Sequence, residues 1–312
     1  MKEFYVRLRI ARASPDQSQK NIFQTIPDPV DQWSKTQPDG GMKGLLDCGT
    51  RSFDWRPKLK DGKLIMHHGT TDVEHAMSDS LDELLSWLDS RDETAENLVH
   101  MSIAECEGDG CEDAVNELLA SKNISKIVQD CADIDGKTVG DIMSMSTLQG
   151  EQRGHLFVAS GCLDMNYNES ITCAGFHTSK RHLRGSNNIM SNATNLDLSL
   201  TYTCYSDSST KDFPLNRMWD YVHSVVDNEP QFGRLYSVQV LWEETATSIA
   251  IGEAHLSSLL DTEKRSQLNN LLTQKIKSGE IDSSKLNLVE VNNVCDGGNE
   301  LQNALYAARG WS

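Results

Sequence analysis

The chain has 312 residues, a hydrophobic content of 38% and a formal net charge of −17. Such a charge repels phosphate backbones and argues against a general nucleic-acid binder, while leaving room for a local basic pocket. No stretch approaches the roughly 20 apolar residues of a membrane span, so any bilayer contact is expected to be peripheral.

Residues 1–40 are polar and punctuated by SPDQSQKN, IPDP and QPDGG, which predicts irregular structure apart from a short strand at 4–10, with order beginning near Trp33. From there strand-like and helix-like segments alternate. Strands are expected at 51–56 and 64–68, then a helix at 80–90 whose Leu81, Leu84, Leu85 and Leu88 form a core-facing stripe. A strand at 98–103, a helix at 111–120 and strands at 155–159 and 198–204 follow. The C-terminal third reads as a helix at 215–226, a strand at 236–242, a helix at 255–276, a strand at 286–292 and a helix at 299–308. This order favours α/β architecture, with a barrel whose functional residues gather at strand C-terminal ends as the first choice and a doubly wound sheet as its rival. No GxGxxG or GxxxxGK[ST] follows a candidate strand, which removes the nucleotide-binding form of that rival.

Eight cysteines (Cys48, Cys106, Cys111, Cys131, Cys162, Cys173, Cys204, Cys295) make disulfides an expectation, although spacing leaves their pairing open. Cys106 and Cys111 are near enough to close a small loop, as are Cys162 and Cys173. With no CxxC and no histidine at zinc-finger spacing, neither a zinc site nor any cofactor is expected. Asn-x-Ser/Thr acceptors at Asn123, Asn168 and Asn192 fit a secreted chain, yet MKEFYVRLRIARASPDQ lacks the apolar core of a secretory signal. The expectation is a cytoplasmic protein as written, or a secreted one if its N-terminus is incomplete.

The chemistry concentrates in residues 45–69, LLDCGTRSFDWRPKLKDGKLIMHHG, which bring Asp54, Arg56, His67 and His68 to two strand ends. A guanidinium to neutralise non-bridging phosphate oxygens and an imidazole to protonate a leaving alcohol are what phosphoryl transfer requires. The plainer reading is a buried Asp54–Arg56 ion pair and a histidine pair in a turn. A two-residue hairpin at Asp61-Gly62 would set Arg56 opposite His67 and Trp55 opposite His68; Pro57 and the lysine-rich spacer predict a looser loop instead. Basic clusters at 51–63 and 180–184 are candidate anion sites or solvated turns. His100 reads as a core residue, His75, His223 and His255 as helix residues, and Trp55, Trp219 and Trp242 as core.

The stretch resembles the X-domain signature of the phosphatidylinositol-specific phospholipases C, Gly-x-Arg-x-Phe/Leu-Asp-x-Arg followed by an apolar strand ending in His-Gly. Gly49, Arg51, Phe53, Asp54 and Arg56 match the first part, and Leu64 to Gly69 the second. WSKTQ (33–37) resembles the Trp-x-x-Thr-Gln leading into that strand, NLVHMSIAE (97–105) the third barrel strand, DGKTVGDI (135–142) the loop before the fourth, and SVQVLW (237–242) and NLVEVNNV (287–294) the late strands. The resemblance implies a distorted TIM-type (β/α) barrel over 33–312, preceded by an irregular segment at 1–32. It implies cleavage of a phosphoinositide or related headgroup, with His68 as general acid, Asp54 as its partner, Arg56 as phosphate clamp and His67 beside it in substrate binding. Calcium-dependent members carry a carboxylate where this chain has Arg56, so the metal-independent branch is implied.

Two departures stand out. The family's first histidine lies in Ile-Pro-Gly-Ser/Thr-His-Asp/Asn-Ser, whereas Ile26 and Pro27 here precede DPVDQWSKTQ and no histidine comes before His67. A truncated or mis-assembled N-terminus, a substitute such as His177, and a catalytically impaired headgroup binder are the three explanations, the first preferred. Ala104 and Glu105 stand where related bacterial enzymes carry Lys, which bears on inositol recognition. A metal-dependent glycerophosphodiesterase-type barrel would need Glu-x-Asp where this chain has Asp54-x-Arg56.

Overall fold

The computed structural model describes residues 37–38, 40–68, 71–92, 94–103, 106–124, 137–146, 154–160, 166–172, 199–205, 215–228, 235–242, 259–286 and 288–308. The expected strand at 4–10, the cluster at 180–184, and His177, His182, His255, Cys131, Cys162 and Cys173 lie outside them. In chain order the elements are α1 (Gly41–Asp47), β1 (Ser52–Trp55), β2 (Pro57–Lys60), β3 (Lys63–His68), β4 (Thr71–Ala76), α2 (Met77–Asp89), β5 (Leu98–Ile103), α3 (Cys111–Ser121), α4 (Val139–Ser144), β6 (His155–Ser160), β7 (Asn166–Thr172), β8 (Ser199–Tyr205), α5 (Leu215–Asn228), β9 (Leu235–Gln239), α6 (Leu259–Ser266), α7 (Leu268–Lys277), β10 (Leu288–Glu290) and α8 (Gly298–Ala307).

The architecture is mixed α/β, as expected. Among the described residues seven strands are parallel, in sheets ordered β1-β5-β6 and β10-β9-β8-β7, while β2-β3-β4 form an antiparallel ribbon. Among the described residues no strand pairing closes the two parallel sheets into a ring.

Strand alternation explains the first sheet. Phe53, Trp55, Val99, Met101, Leu156 and Val158 join one apolar cluster with Leu46 of α1, Leu84 and Leu88 of α2, and Leu301 and Leu305 of α8. Ser52, Asp54, His100, Ser102, Phe157 and Ala159, on the alternate positions, are buried as well. Burial of both faces is the normal state of a parallel sheet flanked by helices. The leucine stripe of α2 extends back to Met77, so the helix begins before residue 80; each such side chain contributes about 1.5–3 kcal/mol on burial.

Several elements differ from the sequence reading. The spacer at 57–60 is strand β2, not a loop, and His75 lies on β4 rather than a helix. GMKGLLD forms α1, and α4 begins within the stretch 135–142, read as a loop, and runs beyond it to Ser144, opened by a capping box between Thr138 and Asp141. The single helix expected at 255–276 is two, broken at Gln267 in the left-handed conformation (φ 53°), where the Trp242 indole N–H donates to Ser266 Oγ at 2.8 Å. No Gly or Pro marks that break.

Two disulfides are present among the described residues. Cys106–Cys111 closes the small loop expected from its spacing, and Cys48–Cys295 ties the end of α1 to the turn before α8. Among the described residues no helix is long and apolar enough to cross a membrane.

Candidate active site

β1 carries Asp54 and leads directly into Arg56, at the C-terminal end of the first parallel strand. The Arg56 Nη2–H and Nε–H groups donate to Asp54 Oδ2 at 3.0 and 3.1 Å, with the Asp54 side chain 2% and that of Arg56 11% exposed. The ion pair expected as the plainer reading is therefore formed, and Asp54 engages the guanidinium. That contact orients the planar guanidinium of Arg56.

The hairpin after Arg56 is tight. Lys60 pairs with Lys63 across Asp61 and Gly62, both at positive φ (50° and 75°), the signature of a two-residue primed turn. The looser loop expected from Pro57 and the lysines is not formed, because Asp-Gly supplies the required backbone conformations and the lysines find a counterion in β4. Pairing continues through Pro57↔Met66, and the His67 N–H donates to the Arg56 carbonyl at 2.9 Å. Arg56 is thus opposite His67, and His67 is opposite Asp72. His68 is the last residue of β3, at the alternate position shared with Met66; its side chain lies outside the description.

One face of the ribbon consequently gathers charge. Arg56, Lys58 and Lys60 alternate along the chain, Lys58 Nζ lies 2.9 Å from Asp72 Oδ1, and Lys60 Nζ donates to Asp72 Oδ2 at 2.9 Å. Hydrogen bonds from Lys58 and then Lys60 hold the Asp72 carboxyl down at about 2, and Asp72 in turn raises the Lys58 ammonium above its usual range. His67, 5% exposed, has Nδ1 3.5 Å from Glu107 Oε2, which also lies 3.3 Å from Lys58 Nζ. Lys58, Lys60, Asp72 and Glu107 were not singled out individually from sequence; the period-two run Arg-Pro-Lys-Leu-Lys was the available signal.

Arg51, part of the same sequence cluster, points elsewhere. Its guanidinium donates to the carbonyls of Glu96, Leu46 and Thr50 and stacks 4.6 Å over the Trp87 ring, and burial pushes its pKa down to about 10. His100 is a core residue as expected, its Nδ1 2.6 Å from Ser52 Oγ. Trp55, Trp219 and Trp242 are buried. Among the described residues no group of three His, Cys, Asp or Glu side chains is arranged to hold a metal ion.

No family model and no curated protein matches the chain. Solved structures do. A pentafluoro-Phe form of the phosphatidylinositol-specific phospholipase C of Staphylococcus aureus superposes with a TM-score of 0.56 at 15% identity, covering 97% of this chain and 93% of that one. A second structure of the S. aureus enzyme, from work on modulation of its membrane binding, gives 0.54 at 15% identity over 97% and 92%. The phosphatidylinositol-specific phospholipase C of Listeria monocytogenes gives 0.55 at 11% identity over 97% and 93%. The resemblance read along most of the chain from Trp33 is thus matched at the level of fold: this protein has the fold of the bacterial phosphatidylinositol-specific phospholipases C.

Proposed function

We propose that the protein is a phosphoric diester hydrolase or lyase of the phosphatidylinositol-specific phospholipase C type, acting on a phosphoinositide or related lipid headgroup at a membrane surface. The observation carrying this reading is the Arg56–Asp54 pair at the C-terminal end of β1, in a chain that shares its fold with bacterial enzymes of that activity. In this reading residues 33–312 form one domain whose parallel strands make a distorted TIM-type barrel, with catalysis at the strand C-terminal ends.

Arg56, oriented by Asp54, supplies fixed positive charge to the non-bridging oxygens of the phosphate. A ring hydroxyl of the headgroup attacks phosphorus, the bond from phosphorus to the diacylglycerol oxygen breaks, and His68 gives its proton to that oxygen while a general base takes the hydroxyl proton. His67 is too enclosed, at 5% exposure, to meet a diacylglycerol leaving group; it walls the Arg56 side of the site. Arg56 fills the place of a metal-ligating carboxylate, so activity should survive EDTA.

The test is release of cyclic inositol phosphate from phosphatidylinositol vesicles. Turnover that falls about 10²–10⁴-fold in His68→Ala supports the assignment. Headgroup binding by the parent chain without turnover would replace it with a binding module.

A further inference from the structure

We propose that the Cys106–Cys111 loop is a latch on the Arg56-bearing ribbon, and that Glu107 within it is a positioning residue for the headgroup site. The role in the reaction rests on the phosphodiesterase reading; the latch does not.

The loop is joined to the ribbon by main chain, side chain and close packing at once. The Glu107 N–H donates to the Pro57 carbonyl at 3.0 Å and the Leu59 N–H donates to the Glu107 carbonyl at 2.8 Å, an isolated parallel bridge centred on Lys58. It extends the β1–β5 pairing beyond Trp55↔Ile103, out of step by one residue. From this bridge the Glu107 carboxylate reaches both Lys58 and His67, the residue opposite Arg56. Gly108 holds φ +99°, and a Cβ there would come 2.7 Å from the Leu59 carbonyl oxygen, so the loop lies flush against β2.

The side-chain contacts alone would not fix this arrangement. Glu107 is 49% exposed, and ion pairs of that kind contribute little. The disulfide supplies what they lack: Cys111 is buried at the start of α3, whose Val115 and Leu119 belong to the core, so the bond anchors the loop to a fixed helix. A bridge spanning 5 residues removes little unfolded-state entropy compared with the 247 spanned by Cys48–Cys295. Its effect falls on local geometry, at the ribbon.

Hydrogen exchange on the oxidised full-length chain tests the latch independently of catalysis. In Cys106→Ser/Cys111→Ser, and separately in Gly108→Ala, the amides of Leu59 and Glu107 should exchange at least about tenfold faster, while those of Val99 and Met101 within β5 keep their protection. For the site, Glu107→Gln should leave those amides protected yet lower kcat/KM on phosphatidylinositol vesicles about tenfold, and Glu107→Asp should recover part of the loss. Unchanged exchange in both loop variants overturns the latch whether or not the protein cleaves lipid. Faster exchange with parental kcat/KM in the loop variants, or parental kcat/KM in Glu107→Gln, overturns the positioning role. A parent chain with no turnover defeats the phosphodiesterase reading, and exchange then decides the latch alone.

Discussion

The His67 N–H donates to the Arg56 carbonyl at 2.9 Å, and this bond fixes the register of the charged ribbon. One residue of slip would exchange the two faces of β3 and bring His68 opposite Arg56. The Asp61-Gly62 turn and the Lys58–Asp72–Lys60 contacts hold the observed register from the other end. The backbone of Arg56 and of the adjacent histidines is therefore placed by the hairpin.

Arg56→Lys should separate geometry from charge. A lysine retains the positive charge but lacks the planar fork whose Nε–H and Nη2–H both reach Asp54 Oδ2. Cleavage of phosphatidylinositol should fall about 10²-fold with the fold intact, measured as kcat/KM beside a melting curve. A parental rate in this variant would remove Arg56 from the site.

Gln37→Glu probes the Trp-x-x-Thr-Gln stretch. The Gln37 side-chain N–H donates to the Val291 carbonyl at 3.0 Å and its Oε1 accepts from the Val294 N–H at 3.0 Å, tying the segment before α1 to the end of β10. A carboxylate is acceptor-only, so the Val291 contact becomes repulsive in a buried place. The expected loss is about 2–4 kcal/mol in urea unfolding, without change in the disulfides.

What the sequence disclosed and what it hid follow from the range of the interactions involved. β1, β5 and β6 were legible to within a residue or so at each end because both faces are buried and their apolar, β-branched and aromatic content is local information, and the bounds of β8 were likewise legible from its Thr and Tyr content. β2 was not, since Pro57 and two lysines read as a loop until Asp72 of β4 supplies the counterion. The Asp54–Arg56 pair was legible because its partners are two residues apart. Glu107 was missed because its role depends on a bridge to Lys58 from a distant strand, and the CEGDGC loop signalled a disulfide without saying what it touches.

Cys48–Cys295 should govern global stability. It joins the residue capping α1 to the turn before α8 across 247 residues, for which the loop-entropy model gives about 5 kcal/mol and native disulfides typically deliver about 2–5. Cys48→Ser/Cys295→Ser should lower the melting temperature by several degrees under non-reducing conditions. Cys106→Ser/Cys111→Ser should lower it less, and equal losses would show that loop length is not what sets the contribution.

Asp72 gives the ribbon a defined acid limit. Lys58 and Lys60 lower its carboxyl from the ordinary 3.8 to about 2 in the folded chain. A carboxylate whose pKa is depressed by folding adds stability that is complete above its unfolded pKa and disappears as pH falls through its folded one. The Asp72 contribution is thus fully present above about pH 4 and lost on approaching pH 2, and because the pair is partly exposed it should shrink with added salt. Melting temperatures of the parent and Asp72→Asn should differ at pH 5 and converge near pH 2, with a smaller gap at high ionic strength. A gap that persists unchanged to pH 2 would mean that Asp72 supports β4 by packing rather than by neutralising the two lysines.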